Sequence, residues 1–359
     1  MQTSFRDTSV SMAKGMAIIL MVLVHASFSY YGALFITMFH MPLFFFMSGY
    51  CFKEAYLNDF RNYLKKRIKG AYWPYVKWGL LFLALHNLFF LLNIYNDEFG
   101  YRGVVSELYT ANDFAKRAFL IIVTMNRGEQ LLGGYWFLHS YLFASIISFA
   151  TIWLCRKKLK RTLVGGGVLL VISVLIAYYN LKIPYIIGAR EVFASVFIIS
   201  GFVYKREHLC FEERTLPTIL IGGIIVALGV VYWPCSMLSL EWQKIIPYYI
   251  SALFGTIMIF AICKLINCRE GFLKRVLTYI GDRTLDILTW HLLSFKIVSI
   301  LIISIYGLSI KHLAEFPVIE DYSIKGWWIV YLVVGVTVSL LIGNLLTHEK
   351  KYNNFVSPK

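Results

Sequence analysis

Charge is scarce in this 359-residue chain: Asp, Glu, Lys and Arg make up 15% of it, against roughly a quarter in a soluble globular domain. Polar stretches are scarce too. None is large enough for a soluble catalytic domain, so any chemistry must occur in or at a membrane. The six cysteines show no metal-type pairing, which leaves them as expected free thiols and gives no reason to invoke a metal. Cys51, Cys155, Cys210, Cys263 and Cys268 fall near expected cytoplasmic helix ends, and Cys235 stands alone on the other side. No internal repeat, low-complexity tract or heptad is evident. The first apolar segment runs into the second without a small-residue cleavage site, so both are expected to be retained rather than removed as a signal peptide.

Apolar residues, by contrast, make up 58% of the chain, and mean hydropathy is +0.65. Runs long enough to cross a bilayer, each needing about 20 residues, recur throughout. They predict an all-α membrane protein of about ten transmembrane helices in one polytopic domain, 1–359. The predicted spans are 12–30, 33–52, 71–95, 134–154, 162–180, 185–204, 216–234, 245–266, 279–306 and 327–346. The largest polar insertion is an outer loop at 96–133, whose segment 114–125 is short, apolar and flanked by charge, as an interfacial or re-entrant piece would be. A smaller insertion lies at 307–326.

The net charge of +15 does not indicate nucleic-acid binding, because the basic residues sit in short clusters between apolar runs. Their distribution instead orients the chain. With both termini in the cytoplasm, 23 Lys and Arg face inward, among them Lys53 to Lys77, Arg156 to Arg161, Lys205-Arg206, Arg269 to Arg275 and Lys350-Lys351. Only 8 lie in outer connections, and four fall within helices. That asymmetry satisfies the positive-inside rule. The inward clusters also suit contact with anionic lipid head groups.

Ionisable groups inside membrane helices are costly, so each is a candidate site. The first helix carries Lys14 and His25. Eleven residues put them about 16 Å apart along the axis and within about 20° of one face. One polar stripe therefore runs from the cytoplasmic edge toward the outer half. His40, on the next predicted helix and just ahead of Pro42, falls at a depth similar to His25. Each histidine either hydrogen-bonds a neighbouring helix or moves protons, for which imidazole is suited near neutral pH. Arg190 and Glu191 begin the sixth span, and Asp282, Arg283, Asp286, His291 and Lys296 mark the ninth. Asp282 and Arg283 also fit capping near a helix start. Lys65-Lys66-Arg67-Ile68-Lys69 precedes Trp73-Pro74-Tyr75. That segment reads as a topology determinant with an aromatic belt, or as a site for the phosphates and adenine of a nucleotide cofactor.

Lys14-Gly15, Val22 to His25, Phe39-His40-Met41-Pro42-Leu43-Phe44-Phe45 and Ser48-Gly49-Tyr50 resemble the opening of the membrane-bound acyltransferase-3 family, within it the sugar O-acetyltransferase branch. Lys66-Arg67 with Pro74-Tyr75, Tyr135-Trp136-Phe137-Leu138 and Gly281 to His291 extend the likeness in order to about residue 295. The resemblance implies a ten-helix core in a bacterial cytoplasmic membrane. It also implies transfer of an acyl group, usually acetyl from acetyl-CoA, to a hydroxyl of a surface glycan or lipid-linked sugar. The family's basic residue followed eleven positions later by His corresponds to Lys14 and His25. Its Arg-x-x-Arg element corresponds to Arg67 with Gly70 in the second place, so Lys66 and Lys69 would supply the remaining charge for the CoA donor. On this resemblance His25 is expected to be the general base or a transient acyl carrier, and Lys14 to orient the thioester end. His40 and Glu191 are expected to orient His25 or meet sugar hydroxyls, with Trp136 and His291 also toward substrate. The rival from another class is a proton-coupled transporter or flippase using the same histidines. It calls for inverted repeats and paired Gly/Pro-broken helices, which the sequence lacks.

Overall fold

The computed structural model describes residues 8–100, 105–126, 128–155, 158–182, 186–268 and 270–356, with side chains to 346. Arg6, Arg102, Arg127, Arg156, Lys157, Arg269 and Lys359 of the charge count lie outside the described residues, as do the side chains of Lys350 and Lys351. The described chain is helical with no strand.

The helices are α1 (Thr8–His25), α2 (Tyr30–Thr37), α3 (His40–Tyr50), α4 (Phe60–Arg67), α5 (Trp73–Ala84), α6 (His86–Leu91), α7 (Ala111–Thr124) and α8 (Trp136–Leu154). They continue as α9 (Leu159–Tyr178), α10 (Ala189–Arg206), α11 (Thr215–Tyr232), α12 (Ile245–Asn267), α13 (Phe272–Gly281), α14 (Thr284–Tyr306), a single turn α15 (Glu320–Tyr322) and α16 (Trp328–Val356). Among the described residues, eight helical stretches are long and apolar enough to cross a membrane. Two further predicted spans are helical but interrupted or charged: 71–95 breaks at Leu85 between α5 and α6, and α10 carries charges at both ends.

Local chemistry explains several boundaries that hydropathy does not set. The second predicted span is two helices, because the chain breaks at Met38-Phe39 ahead of Pro42, which has no N–H to continue the ladder. The ninth predicted span begins late. Asp282 ends α13 and Arg283 precedes α14, so these two charges sit at a helix junction. The segment expected to be a short interfacial or re-entrant piece is a full helix, α7, closed at its start by a reciprocal Thr110–Asp113 capping box. Between α4 and α5, Ile68–Tyr72 forms a π-helical turn that inserts one extra residue into the helical register.

The chain divides into two compact units. The first comprises Met1–Leu20, Tyr31–Trp73 and Phe137–Asp282. Its helices cross backbone to backbone at glycines. A Cβ at Gly15 would lie 2.2 Å from the Leu277 carbonyl oxygen, and one at Gly281 would lie 1.7 Å from that of Ser11, so α1 and α13 touch where only glycine fits. Gly49 and Gly201 do the same for α3 and α10. An aromatic core of Phe52, Tyr63, Phe149 and Phe202 completes this unit. The second unit comprises Met21–Tyr30, Pro74–Trp136 and Arg283–Lys359. There Gly335 of α16 lets Phe295 of α14 and Val22 of α1 pack closely.

Candidate active site

His25 is the last residue of α1; Ser27, at φ 51°, ends the helix, and Ser323 donates to the Ala26 carbonyl to fix the turn. This places His25 against α14 within the second unit. Its Nδ1 lies 2.9 Å from Nε2 of His291, with the two rings stacked at 5.1 Å. His291 is fully buried, and its own Nδ1 lies 2.8 Å from the Ile287 carbonyl oxygen.

These contacts assign the tautomers. A carbonyl only accepts, so His291 Nδ1 carries a hydrogen. No carboxylate contacts His291 among the described residues, and burial opposes an unpaired charge, so His291 is neutral and its Nε2 accepts. His25 Nδ1 must then donate. In the neutral form of His25 the lone pair then lies on Nε2, where it can accept a proton. His291 thus orients His25.

The other groups on α14 hold structure. Lys296 is buried and donates to the carbonyls of Leu313 and Glu315 at 2.8 and 2.7 Å, tying the 307–326 insertion to the helix. Thr289 bonds Tyr135 at 2.7 Å, and Gly134 abuts Leu288, so this part of the Tyr135-Trp136 motif is seated on α14. Trp136 itself is half-buried.

Lys14 lies eleven residues before His25 on the same continuous helix, half-buried. In the first unit, Ser11 donates to Asp282 at 2.9 Å one turn before Lys14. The Gly15–α13 crossing fixes that end of α1.

Arg67 closes α4 in the first unit. It donates to the Tyr141 hydroxyl and lies over the Tyr63 and Tyr141 rings at 4.7 and 5.2 Å. Ser48, from the Ser-Gly-Tyr motif, donates to the same hydroxyl at 3.2 Å. Burial works against the Arg67 charge, yet the Tyr141 and Tyr63 phenols beside it raise its pKa above the ordinary value, so it remains a cation. Among the described residues its buried Nε meets no hydrogen-bond acceptor. Lys66 bonds the Tyr56 hydroxyl at 3.1 Å, Lys69 is exposed, and nothing lies within 4 Å of where a Gly70 side chain would begin. Fixed cation, buried N–H, aromatic rings and adjacent space suit the phosphates and base of a nucleotide-bearing donor.

Glu191 and His40 are placed differently. The Glu191 carboxylate accepts from Ser140 at 2.7 Å, the Gly188 N–H at 2.9 Å and Arg190 at 3.0 Å, with His139 at 3.3 Å. It caps α10 and binds it to α8. His40 is buried, its Nδ1 2.9 Å from the Ile36 carbonyl, which also accepts from the Phe39 N–H at the break. Its contact bridges the break.

Sequence reasoning missed His139 and the buried pair of His86 with Glu129 at 2.9 Å. Both histidines lie in predicted spans, so the rule applied to His25 would have flagged them.

Comparison with known proteins adds one finding. A family model described as an acyltransferase domain matches residues 7–344, nearly the whole chain. No curated protein matches, and no solved structure does either.

Proposed function

Given that this chain belongs to the acyltransferase-3 family, and so is an acyltransferase, we propose that it transfers acetyl from acetyl-CoA to a hydroxyl of a cell-surface glycan or lipid-linked sugar, with His25 as general base. The observation that carries this reading is the relay from the Ile287 carbonyl through His291 to His25, which leaves the His25 lone pair on Nε2.

His25 Nε2 takes the proton of the acceptor hydroxyl, and the oxygen adds to the thioester carbonyl. The carbon–sulfur bond then breaks, and the imidazolium returns its proton to the departing thiolate. His291 accepts from His25 Nδ1 throughout and stabilises the charge that forms there. Lys14, on the same helix, orients the thioester end. Arg67 offers its Nε and guanidinium charge to the phosphates of the donor, with Lys66 and Lys69 completing the positive field. Trp136 meets the acceptor, whereas Glu191 and His40 act through structure, Glu191 capping α10 and His40 bridging the break before α3. The chain crosses a bacterial cytoplasmic membrane ten times with both termini inside. Exposed Cys210 should then resist an impermeant maleimide in intact cells and react after permeabilisation; labelling in intact cells would invert the topology.

The functional test uses inverted membrane vesicles and acetyl-labelled acetyl-CoA. Alkali-labile label should appear in the glycan or lipid-linked sugar fraction only when the protein is present. Label confined to protein as a stable product, or no label, would exclude this reaction.

A further inference from the structure

Within the first unit, α9, α10, α12 and α3 enclose a half-open groove of about 340 Å³, which no part of the reaction above uses. Phe46, Leu163, Leu170, Val196, Val203 and Leu253 line it. The polar atoms in its wall are already satisfied. Ser200 and Tyr249 hydroxyls bond each other at 2.8 Å, Ser200 also donates to the Val196 carbonyl, and Tyr204 donates to Glu212. A wall with no unmet hydrogen-bonding group suits an apolar guest and not water.

The glycines of α9 point the same way. Gly165-Gly166-Gly167 cost this helix about 1 kcal/mol each relative to alanine. A Cβ at Gly165 would meet Thr151 at 2.8 Å, so that glycine follows from packing, whereas one at Gly166 would only make ordinary contact with Ile199 at 3.5 Å. A Cβ at Gly167 would meet nothing within 4 Å, and Gly167 lines the groove. Its missing side chain keeps space open for something outside the chain.

Length and charge identify the guest. From Leu163 to Leu170 the groove follows α9 for about 10 Å. One turn before Leu163, on the face of Gly167, stands exposed Lys160, beside exposed Arg161 and Lys158 at the helix start. A narrow apolar channel along membrane helices, ending at a basic cluster, matches a single hydrocarbon tail with a negative head.

We propose that this groove is a binding site for one acyl chain of an anionic phospholipid, with Lys160 at its head group and Gly167 holding its floor open. The test uses the full-length protein in nanodiscs of mixed phosphatidylglycerol and phosphatidylcholine, with a photoreactive diazirine in the acyl chain of either lipid. Adducts from phosphatidylglycerol should concentrate in residues 163–170 and 196–204. Gly167→Trp should lower them about tenfold, as for the loss of about 1.4 kcal/mol, while Val168→Trp, on another face of α9, should leave them unchanged. Lys160→Ala should remove the preference for phosphatidylglycerol. Adducts spread evenly over lipid-facing helices, equal labelling from the two lipids, or protein dimers crosslinked through α9 would each overturn the assignment. The map on the unmodified protein decides this even if Gly167→Trp fails to fold.

Discussion

Replacing His291 separates an orienting role from a merely structural one. When His25 takes the acceptor proton it becomes a cation, and its Nδ1–H bond to His291 Nε2, 2.9 Å long, becomes charge-assisted. Hydrogen bonds to charged groups contribute about 1.5–3 kcal/mol. At 1.36 kcal/mol per factor of ten, losing this one lowers kcat by about 10- to 150-fold. His291→Leu keeps the volume of a buried residue but removes the acceptor, so it should show that loss with little change in acceptor KM. His291→Gln, whose amide oxygen can accept the same bond, should recover most of the rate. In a His25→Ala background, His291→Leu should cost nothing more, because the two act as a unit. The assay is acetyl transfer in vesicles, normalised to protein amount, with thermal stability measured in detergent. A wild-type rate for His291→Leu, no advantage of Gln over Leu, or a full further loss in the double variant would refute the relay.

Arg67→Lys keeps the charge but loses the planar fork and Nε, and should raise the donor KM about tenfold with kcat little changed; an unchanged donor KM would count against a phosphate role. Gly281→Val places a side chain against the Ser11 carbonyl and should destabilise the fold by about 3 kcal/mol or more, read as lost thermal stability and protein amount. Glu129 is pushed up by burial, with His86 pulling back, so the folded chain holds its proton to higher pH than the unfolded chain. That contribution favours folding at acid pH and fades as pH rises through the folded value. Glu129→Gln should flatten this slope in detergent melts taken from the ordinary carboxylate range upward; an unchanged slope would show that Glu129 does not set it.

The helices were legible because membrane spans are written in hydropathy, a property each segment carries by itself. So was the polar face of α1: the helical repeat alone aligns Lys14 with His25. Partnership was not legible. His25 and His291 are 266 residues apart, and only the fold brings their rings together. The sequence offered His40 and Glu191 either to orient His25 or to meet sugar hydroxyls. In the structure a helix break occupies the Nδ1 of His40, and a cap and three further partners occupy the Glu191 carboxylate. Motif glycines had no visible purpose in one dimension. Gly15 and Gly281 acquire one when α1 and α13 meet, since a Cβ on either would strike the partner backbone. Arg67 stood out as charge, but Tyr63 and Tyr141, which hold it, look like ordinary membrane aromatics.

The most direct measurement is acetyl transfer by His25→Ala in vesicles holding the same amount of folded protein as wild type. A general base contributes about 10²- to 10⁴-fold, so the variant should retain at most about one per cent of the rate while still binding the donor. Transfer at the wild-type rate would mean that the proton leaves the acceptor by another route, and His25 would have no part in the reaction.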